Sequence, residues 1–138
     1  MFTIIFPVLN ERLRLESGVT RTVEYLRKIA FEDYEIIIVD NGSEDETPQI
    51  AEMLCQKYEK VRYERINVRG VGAAFRRGVE LSHGDVVGYM DIDLSTNIKH
   101  LGEAIHLFET QSQIEYINGS RFARESDTKE VGGQAVLG

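Results

Sequence analysis

Two carboxylates lie two residues apart in Met90-Asp91-Ile92-Asp93-Leu94, directly after a short hydrophobic run. In an extended chain, positions i and i+2 point to the same side, so we expect Asp91 and Asp93 to lie together. A hard divalent cation such as Mg²⁺ or Mn²⁺ relieves their mutual repulsion, because it prefers oxygen ligands and bridges to phosphates. Such a metal would neutralise charge on a departing pyrophosphate. Asp-x-Asp pairs also arise by chance, and the structural alternative is that both acids solvate a strand end or cap the next helix.

A second acid, Asp40, ends the apolar run that begins at Ile36, and Asn41-Gly42 follows it. A carboxylate in this position can accept hydrogen bonds from a nucleobase or a ribose. The structural alternative is an ordinary turn, because Asn-Gly is a strong turn pair.

Polar residues also follow the first apolar run, Phe2 to Val8. Pro7 fixes the exit from this run, and Asn10 and Glu11 come next, where a helix-starting loop is the structural alternative.

Two basic loops complete the set of candidate sites. In Arg69-Gly70-Val71-Gly72, the glycines let backbone approach a ligand, and Arg69 can pair with phosphate or lie against a base. Tight helix packing is the alternative. Arg121 follows another apolar run and a glycine, where it can receive an anionic group, and a surface arginine is the alternative.

Hydrophobic spacing predicts alternating strands and helices. Helical spacing recurs from Val19 to Ala30 and from Ile98 to Phe108. Thr47 is predicted to cap a second helix, and Gly84 to end a third in the left-handed conformation. The predicted strands are Phe2 to Val8, Glu35 to Val39, Val61 to Ile66, Asp85 to Met90 and Ile114 to Ile117. This order predicts a three-layer α/β fold with a mostly parallel sheet flanked by helices, whose ligands bind beyond the carboxyl ends of the strands.

Composition limits the classes of partner. The 138 residues have a net charge of −7, which argues against a nucleic-acid binder that needs a basic face. Cys55 is the only cysteine, which excludes an intrachain disulfide and indicates a reducing compartment. We found neither a signal-peptide pattern nor an apolar run of membrane-spanning length. These features predict a cytoplasmic protein, with a peripheral position at the membrane face left open.

In this order and at strand ends, the five constellations resemble the inverting family 2 glycosyltransferases of the GT-A fold. The resemblance is strongest to the polyprenyl-phosphate (dolichol-phosphate) mannosyl- and glucosyltransferases. It implies one nucleotide-sugar-binding domain over residues 1–138. Residues 1–122 match the family core, and residues 123–138 form a loop or a truncated acceptor region.

The resemblance also implies roles for individual residues. Asp40 matches the aspartate that bonds the base, and Asn41 stands where the family usually has a second aspartate. Ser95 joins Asp91 and Asp93 as a metal ligand, and Arg121 meets the acceptor phosphate. Asp93 and Arg121 are the catalytic residues in this interpretation. The residues expected to bind the donor are Pro7, Asn10, Glu11, Asp40, Arg69, Gly70, Gly72 and Asp91.

The implied reaction moves a sugar from a UDP- or GDP-linked donor to an acceptor, such as a polyprenyl phosphate, with help from Mg²⁺ or Mn²⁺. One alternative is a catalytically silent nucleotide-sugar-binding module, or a half-enzyme completed by a second copy or a partner chain. A nucleotidyltransferase is disfavoured because Asn10-Glu11-Arg12 replaces the glycine- and lysine-rich loop after the first strand. A receiver domain is disfavoured because we found no pairing of acids at the end of the first strand with a lysine after the last strand.

Overall fold

A computed structural model describes residues 1–93 and 98–110, together with the backbone of two short strands at 116–117 and 122–124. Strands and helices alternate along the chain up to the last helix. The elements are β1 (Phe2–Val8), α1 (Leu15–Lys28), β2 (Tyr34–Asp40), α2 (Thr47–Lys57), β3 (Val61–Arg65), α3 (Val71–Leu81), β4 (Val86–Tyr89), α4 (Ile98–Thr110), β5 (Tyr116–Ile117) and β6 (Phe122–Arg124).

One sheet connects all six strands in the order β3-β2-β1-β4-β6-β5. The first four strands in this order are parallel, and β6 runs antiparallel to both β4 and β5. This arrangement confirms the predicted mostly parallel α/β sheet. The three buried strands β1, β2 and β4 are rich in β-branched residues, as expected for strands that are covered on both faces.

Helices cover both faces of the sheet, and the alternation of side chains along each strand divides the core. Ile4 and Phe6 of β1 join the cluster that includes α1, α2 and α4. Ile5, on the opposite face, joins the cluster formed with α3. The predicted three layers are therefore confirmed. The carboxyl ends of β1 to β4 lie at one edge of the sheet because these strands are parallel.

The last strands differ from the sequence prediction. Of the strand predicted from Ile114 to Ile117, the described residues are Tyr116–Ile117, which form β5, and β6 was not predicted. The β6 strand pairs with the edge of β4, placing Phe122 opposite Gly88. Three residues are too few to show a period of two in the sequence.

Two local predictions were wrong. Thr47 does not cap α2. It is the first residue of that helix, its N–H donates to Asp45 Oδ1 at 2.9 Å, and its hydroxyl accepts from Glu11. Gly84 does not end α3 in the left-handed conformation, because α3 ends at Leu81 and the backbone of Gly84 is not left-handed. Glycine is required there because a Cβ would lie 2.3 Å from Thr3 Oγ1.

Among the described residues, no helix combines the length and the apolar character that crossing a bilayer demands.

Glu35 is a buried carboxylate at the amino-terminal edge of the sheet, and its ion pair with Arg62 should make stability depend on pH. Burial alone would raise the pKa of Glu35, but the His83 N–H, the Thr3 hydroxyl and Arg62 together lower it. A lowered pKa stabilises the fold above the unfolded-state value and loses that stabilisation as pH falls through the folded-state value.

We therefore expect Glu35→Gln to lose about 1–3 kcal/mol of unfolding free energy at pH 7, because a buried, bonded charge is removed. The difference from the unmodified chain should shrink as the pH falls below about 4.3, the ordinary glutamate pKa. Urea unfolding across this range measures it, with the exposed Glu52→Gln as control. A deficit that does not change with pH would contradict the role of the charge.

Candidate functional site

The loops that follow β1 and β2 are joined by hydrogen bonds. The Asn10 N–H donates to Ser43 Oγ, and the Glu44 N–H donates to Asn10 Oδ1, both at 2.8 Å. The Glu11 N–H donates to Thr47 Oγ1 at 2.8 Å. Asn10 adopts a φ of 54°, a left-handed conformation that asparagine tolerates better than most residues. Asn10 and Glu11 therefore hold two strand-end loops together.

Asp40 is fully buried at the end of β2. Its Oδ1 accepts from the N–H groups of Gly42 at 3.0 Å and Ser43 at 2.7 Å, as in an ordinary turn. Its Oδ2 accepts from the Tyr63 hydroxyl at 2.7 Å and from Arg65 at 3.5 Å. Burial and the bond to Asp40 raise the pKa of Tyr63 to about 12, so its hydroxyl stays protonated and donates at neutral pH. Asp40 thus anchors the turn, and its contact with a base stays a prediction.

Asn41 links this turn to the loop that follows β3. Its side-chain Nδ2 donates to the carbonyls of Val68 at 2.9 Å and Gly70 at 3.0 Å, and its own N–H donates to Val8 at 2.9 Å. Asn41 is buried, with only 7% of its surface exposed. The loops after β1, β2 and β3 therefore form one hydrogen-bonded surface.

The loop after β3 leads directly into α3, which begins at Val71. Arg69 is exposed, and Gly70 has a φ of 112°, which strains any residue with a Cβ. No side chain bonds the first turn of α3 at its cap. Backbone N–H groups at a helix start, beside an exposed arginine, are suited to a phosphate. Gly72 lies within this first turn.

The acidic pair follows β4, but not as an extended chain. The β4 strand ends at Tyr89, and residues 92 and 93 form a turn, so the expectation that Asp91 and Asp93 share a side through extended backbone was wrong. Asp91 is partly exposed, and its Oδ1 accepts from the Tyr89 hydroxyl at 3.0 Å. Asp93 is exposed.

This acidic turn packs on α1. A Cβ on Gly18 would lie 2.3 Å from the Ile92 carbonyl oxygen, so only glycine permits the contact. Asp93 lines a cavity of about 280 Å³ between the turn and α1. The other residues around this cavity are Leu13, Arg14, Ser17, Gly18, Arg21 and Ile92.

The sheet places these groups on either side of β1. Its neighbours are β2, which ends in Asp40, and β4, which leads to Asp91. Pro7 pairs with Val39 of β2 on one side. Neighbouring strands lie about 4.8 Å apart, so the two acidic strand ends are separated by about 10 Å across β1.

The structure thus brings most of the predicted site residues to one edge of the sheet. They are Pro7, Asn10, Glu11, Asp40, Arg69, Gly70, Gly72, Asp91 and Asp93. Ser95 and Arg121 lie outside the described residues. Tyr63 and Tyr89 were not among the predicted site residues. The Tyr63 hydroxyl donates to Asp40, and the Tyr89 hydroxyl donates to Asp91. Tyr89 could have been found, because it precedes Asp91 by two residues at the end of a strand.

The acidic turn has the donors that a hard cation prefers. Within residues 1–93 and 98–110, no group of three or more histidine, cysteine or acidic side chains is arranged to hold a metal. Mg²⁺ is commonly bound through one or two carboxylates, with water and substrate phosphates completing its shell. Asp91 and Asp93 are therefore carboxylates of the kind that such a cation uses.

Comparison with known proteins identifies the family. The family described as Glycosyl transferase family 2 matches residues 3–133. Glycosyltransferase AglD of Haloferax volcanii is 33% identical over 122 residues, 87% of this chain and 19% of that protein. Dolichyl-phosphate beta-glucosyltransferase of Mus musculus is 39% identical over 101 residues, 68% of this chain and 31% of that protein.

The fold is also found among solved structures. Mannosyltransferase PcManGT from Pyrobaculum calidifontis, in complex with GDP-Man and Mn²⁺, has a TM-score of 0.67 at 21% identity over 84% of this chain and 35% of that one. The fold is that of the GT-A glycosyltransferases. The chain spans between 19% and 31% of the length of the two relatives above. Since the family match covers nearly all of its residues, the chain belongs to glycosyl transferase family 2.

Proposed function

We propose that this chain binds a nucleoside-diphosphate sugar at the carboxyl edge of its sheet and serves the transfer of that sugar to an acceptor. One observation carries the proposal: hydrogen bonds join three strand-end loops into a single surface, with exposed Arg69 after β3 and the acidic turn after β4. Family membership supports it, because glycosyl transfer is what the family's name describes.

The diphosphate lies, in this proposal, against the acidic turn. Asp91 and Asp93 would hold Mg²⁺ or Mn²⁺, with Ser95 as a further ligand, and the bound cation would offset the charge that develops on the departing nucleoside diphosphate. The solved mannosyltransferase with GDP-Man and Mn²⁺ has the same fold, which supports a divalent metal here. The Tyr89 hydroxyl donates to Oδ1 of Asp91 at 3.0 Å, which restrains this carboxylate at the acidic turn.

The nucleoside lies over the joined loops, where Pro7, Asn10 and Glu11 form one side. Asp40 bonds the base through Oδ2, where the bond from Arg65, at 3.5 Å, is the longest of its four and the easiest to replace. Arg69, Gly70 and Gly72 then close over the phosphates.

The acceptor in this proposal is a polyprenyl phosphate, which the name of the mouse relative supports. A phosphate acceptor is already anionic, so a single in-line displacement that inverts the anomeric carbon needs no general base, whereas a sugar hydroxyl would need one. Arg121 orients this phosphate. The chain then works in the cytoplasm, at the membrane face.

A transfer assay tests this function. Purified chain with Mn²⁺, radiolabelled UDP- or GDP-sugars and a polyprenyl phosphate should yield labelled lipid, and the label should be lost when EDTA removes the metal. Donor binding without labelled product would contradict transfer by this chain and would indicate a donor-binding module. Absence of donor binding would contradict the whole proposal.

A further inference from the structure

Asn41 holds the backbone on both sides of Arg69. Its Nδ2 donates to the carbonyl of Val68 at 2.9 Å and to that of Gly70 at 3.0 Å, the residues immediately before and after Arg69. The Asn41 side chain is buried, whereas Arg69 is exposed. A buried amide thus fixes the loop, and the guanidinium of the loop faces outward.

The neighbouring contacts leave Asn41 little freedom to move. Its own N–H donates to Val8 at the end of β1, and the Asp40 carbonyl beside it accepts from Ile66 at 2.8 Å. The Gly70 carbonyl also accepts from Ala74 in the first turn of α3, at 3.3 Å. The amide therefore ties the loop to β1 and β2 on one side and to the start of α3 on the other.

This position needs a side chain that donates hydrogen bonds, because Asn41 Nδ2 contacts two carbonyl oxygens. An aspartate side chain has the same shape, but an ionised carboxylate has no N–H to donate. It would lose both hydrogen bonds and place its charge against two carbonyl oxygens. The chain thus has a donor where the family resemblance leads one to expect a carboxylate.

We propose that Asn41 is a positioning residue for donor binding, which acts by holding Arg69 and the start of α3 at the diphosphate. This inference rests on the proposed function. Asn41 does not touch the donor in this account, and its effect passes through the backbone on either side of Arg69. The Asn41 amide thereby sets the position of the Arg69 side chain relative to the acidic turn.

Titration calorimetry with a UDP- or GDP-sugar and Mn²⁺ tests the inference on the full chain. Asn41→Asp should weaken donor affinity about tenfold or more, since two hydrogen bonds are lost. Asn41→Ser removes the amide without adding charge, and it keeps the test open if Asn41→Asp fails to fold. Asn67→Asp adds the same charge at an exposed position of the same loop and should stay within about twofold of the unmodified chain.

A double mutant separates positioning from a general loss of structure. If Asn41 acts through Arg69, Asn41→Ser should weaken binding in the unmodified chain but add little in the Arg69→Ala background. Wild-type affinity in Asn41→Asp, or an undiminished effect in the Arg69→Ala background, would overturn the inference. An unmodified chain that binds no donor would instead overturn the proposed function.

Discussion

Replacing Asp93 with alanine should abolish metal-dependent donor binding while leaving the fold intact. Asp93 is exposed after the end of β4, so its replacement takes no buried side chain out of the core. Residues that only orient metal ligands already account for 10–100-fold in affinity, so losing a ligand should weaken Mn²⁺-dependent binding by about 100-fold or more. Titration calorimetry with a UDP- or GDP-sugar, with and without Mn²⁺, measures the loss.

Asp85→Ala is the matched control for this prediction. Asp85 precedes the same strand at the opposite edge of the sheet, where its exposed carboxylate pairs with the amino terminus at 3.2 Å. This variant removes one carboxylate without touching the acidic turn, so its donor affinity should equal that of the unmodified chain. Full Mn²⁺-dependent binding by Asp93→Ala would show that the acidic turn does not hold the metal.

The second large effect is expected at Gly18, which lies far from the acidic turn in sequence but in contact with it. A Cβ at this position would lie 2.3 Å from the Ile92 carbonyl oxygen and 2.8 Å from its Cδ1. Overpacking of this kind costs about 1–3 kcal/mol. Alanine in a helix is favoured over glycine by about 1 kcal/mol, which offsets only part of that loss.

Gly18→Ala should therefore lower the unfolding free energy by about 2 kcal/mol. A clash with a backbone oxygen at 2.3 Å belongs at the upper end of the overpacking cost, about 3 kcal/mol, from which the helix-propensity gain of about 1 kcal/mol is subtracted. Because the contacted atom belongs to the backbone between Asp91 and Asp93, the substitution should also weaken Mn²⁺-dependent donor binding. Urea unfolding and titration calorimetry measure the two effects.

Gly72→Ala serves as the control for stability. A Cβ there would meet only the end of the Arg76 side chain, at 3.7 Å, so the helix preference for alanine should leave stability unchanged or improved. A Gly18→Ala variant as stable as the unmodified chain would show that α1 tolerates the added methyl group. The acidic turn would then not depend on glycine at this contact.

The alternation of strands and helices could be predicted from sequence because strong local signals agree. Phe2–Val8 and Tyr34–Asp40 are apolar, β-branched runs that end in polar turns, and their parallel pairing follows from the helix between them. The placement of the candidate site follows in turn, since parallel strands bring their carboxyl ends to one edge.

The roles that were not predicted depend on contacts between distant parts of the chain, and a local sequence pattern does not contain these contacts. The Thr47 hydroxyl accepts from the Glu11 N–H instead of capping its own helix. Gly84 is needed because the chain passes close to Thr3 there, not because it ends a helix. Asn41 was interpreted as half of a turn pair, but its amide bonds carbonyls 27 and 29 residues further along.

Asp40 lies where it was predicted, but its hydrogen bonds differ from those that were expected. The sequence placed this acid at the end of β2, where it lies. Its burial and its bonds to Tyr63 and Arg65 depend on β3, which pairs with β2 only in the folded chain. A contact with a base must therefore replace an existing bond, which the sequence alone did not indicate.

Thermal unfolding of the unmodified chain with UDP- and GDP-sugars, each with and without Mn²⁺, measures whether the chain binds a nucleotide sugar and whether that binding needs a metal. If the carboxyl edge binds a nucleotide sugar through a metal at Asp91 and Asp93, one donor with Mn²⁺ should stabilise the chain by about 2.7 kcal/mol at 100 times its Kd. The same donor without Mn²⁺ should stabilise it far less. Unfolding that is the same with every donor, with or without Mn²⁺, would contradict the claim.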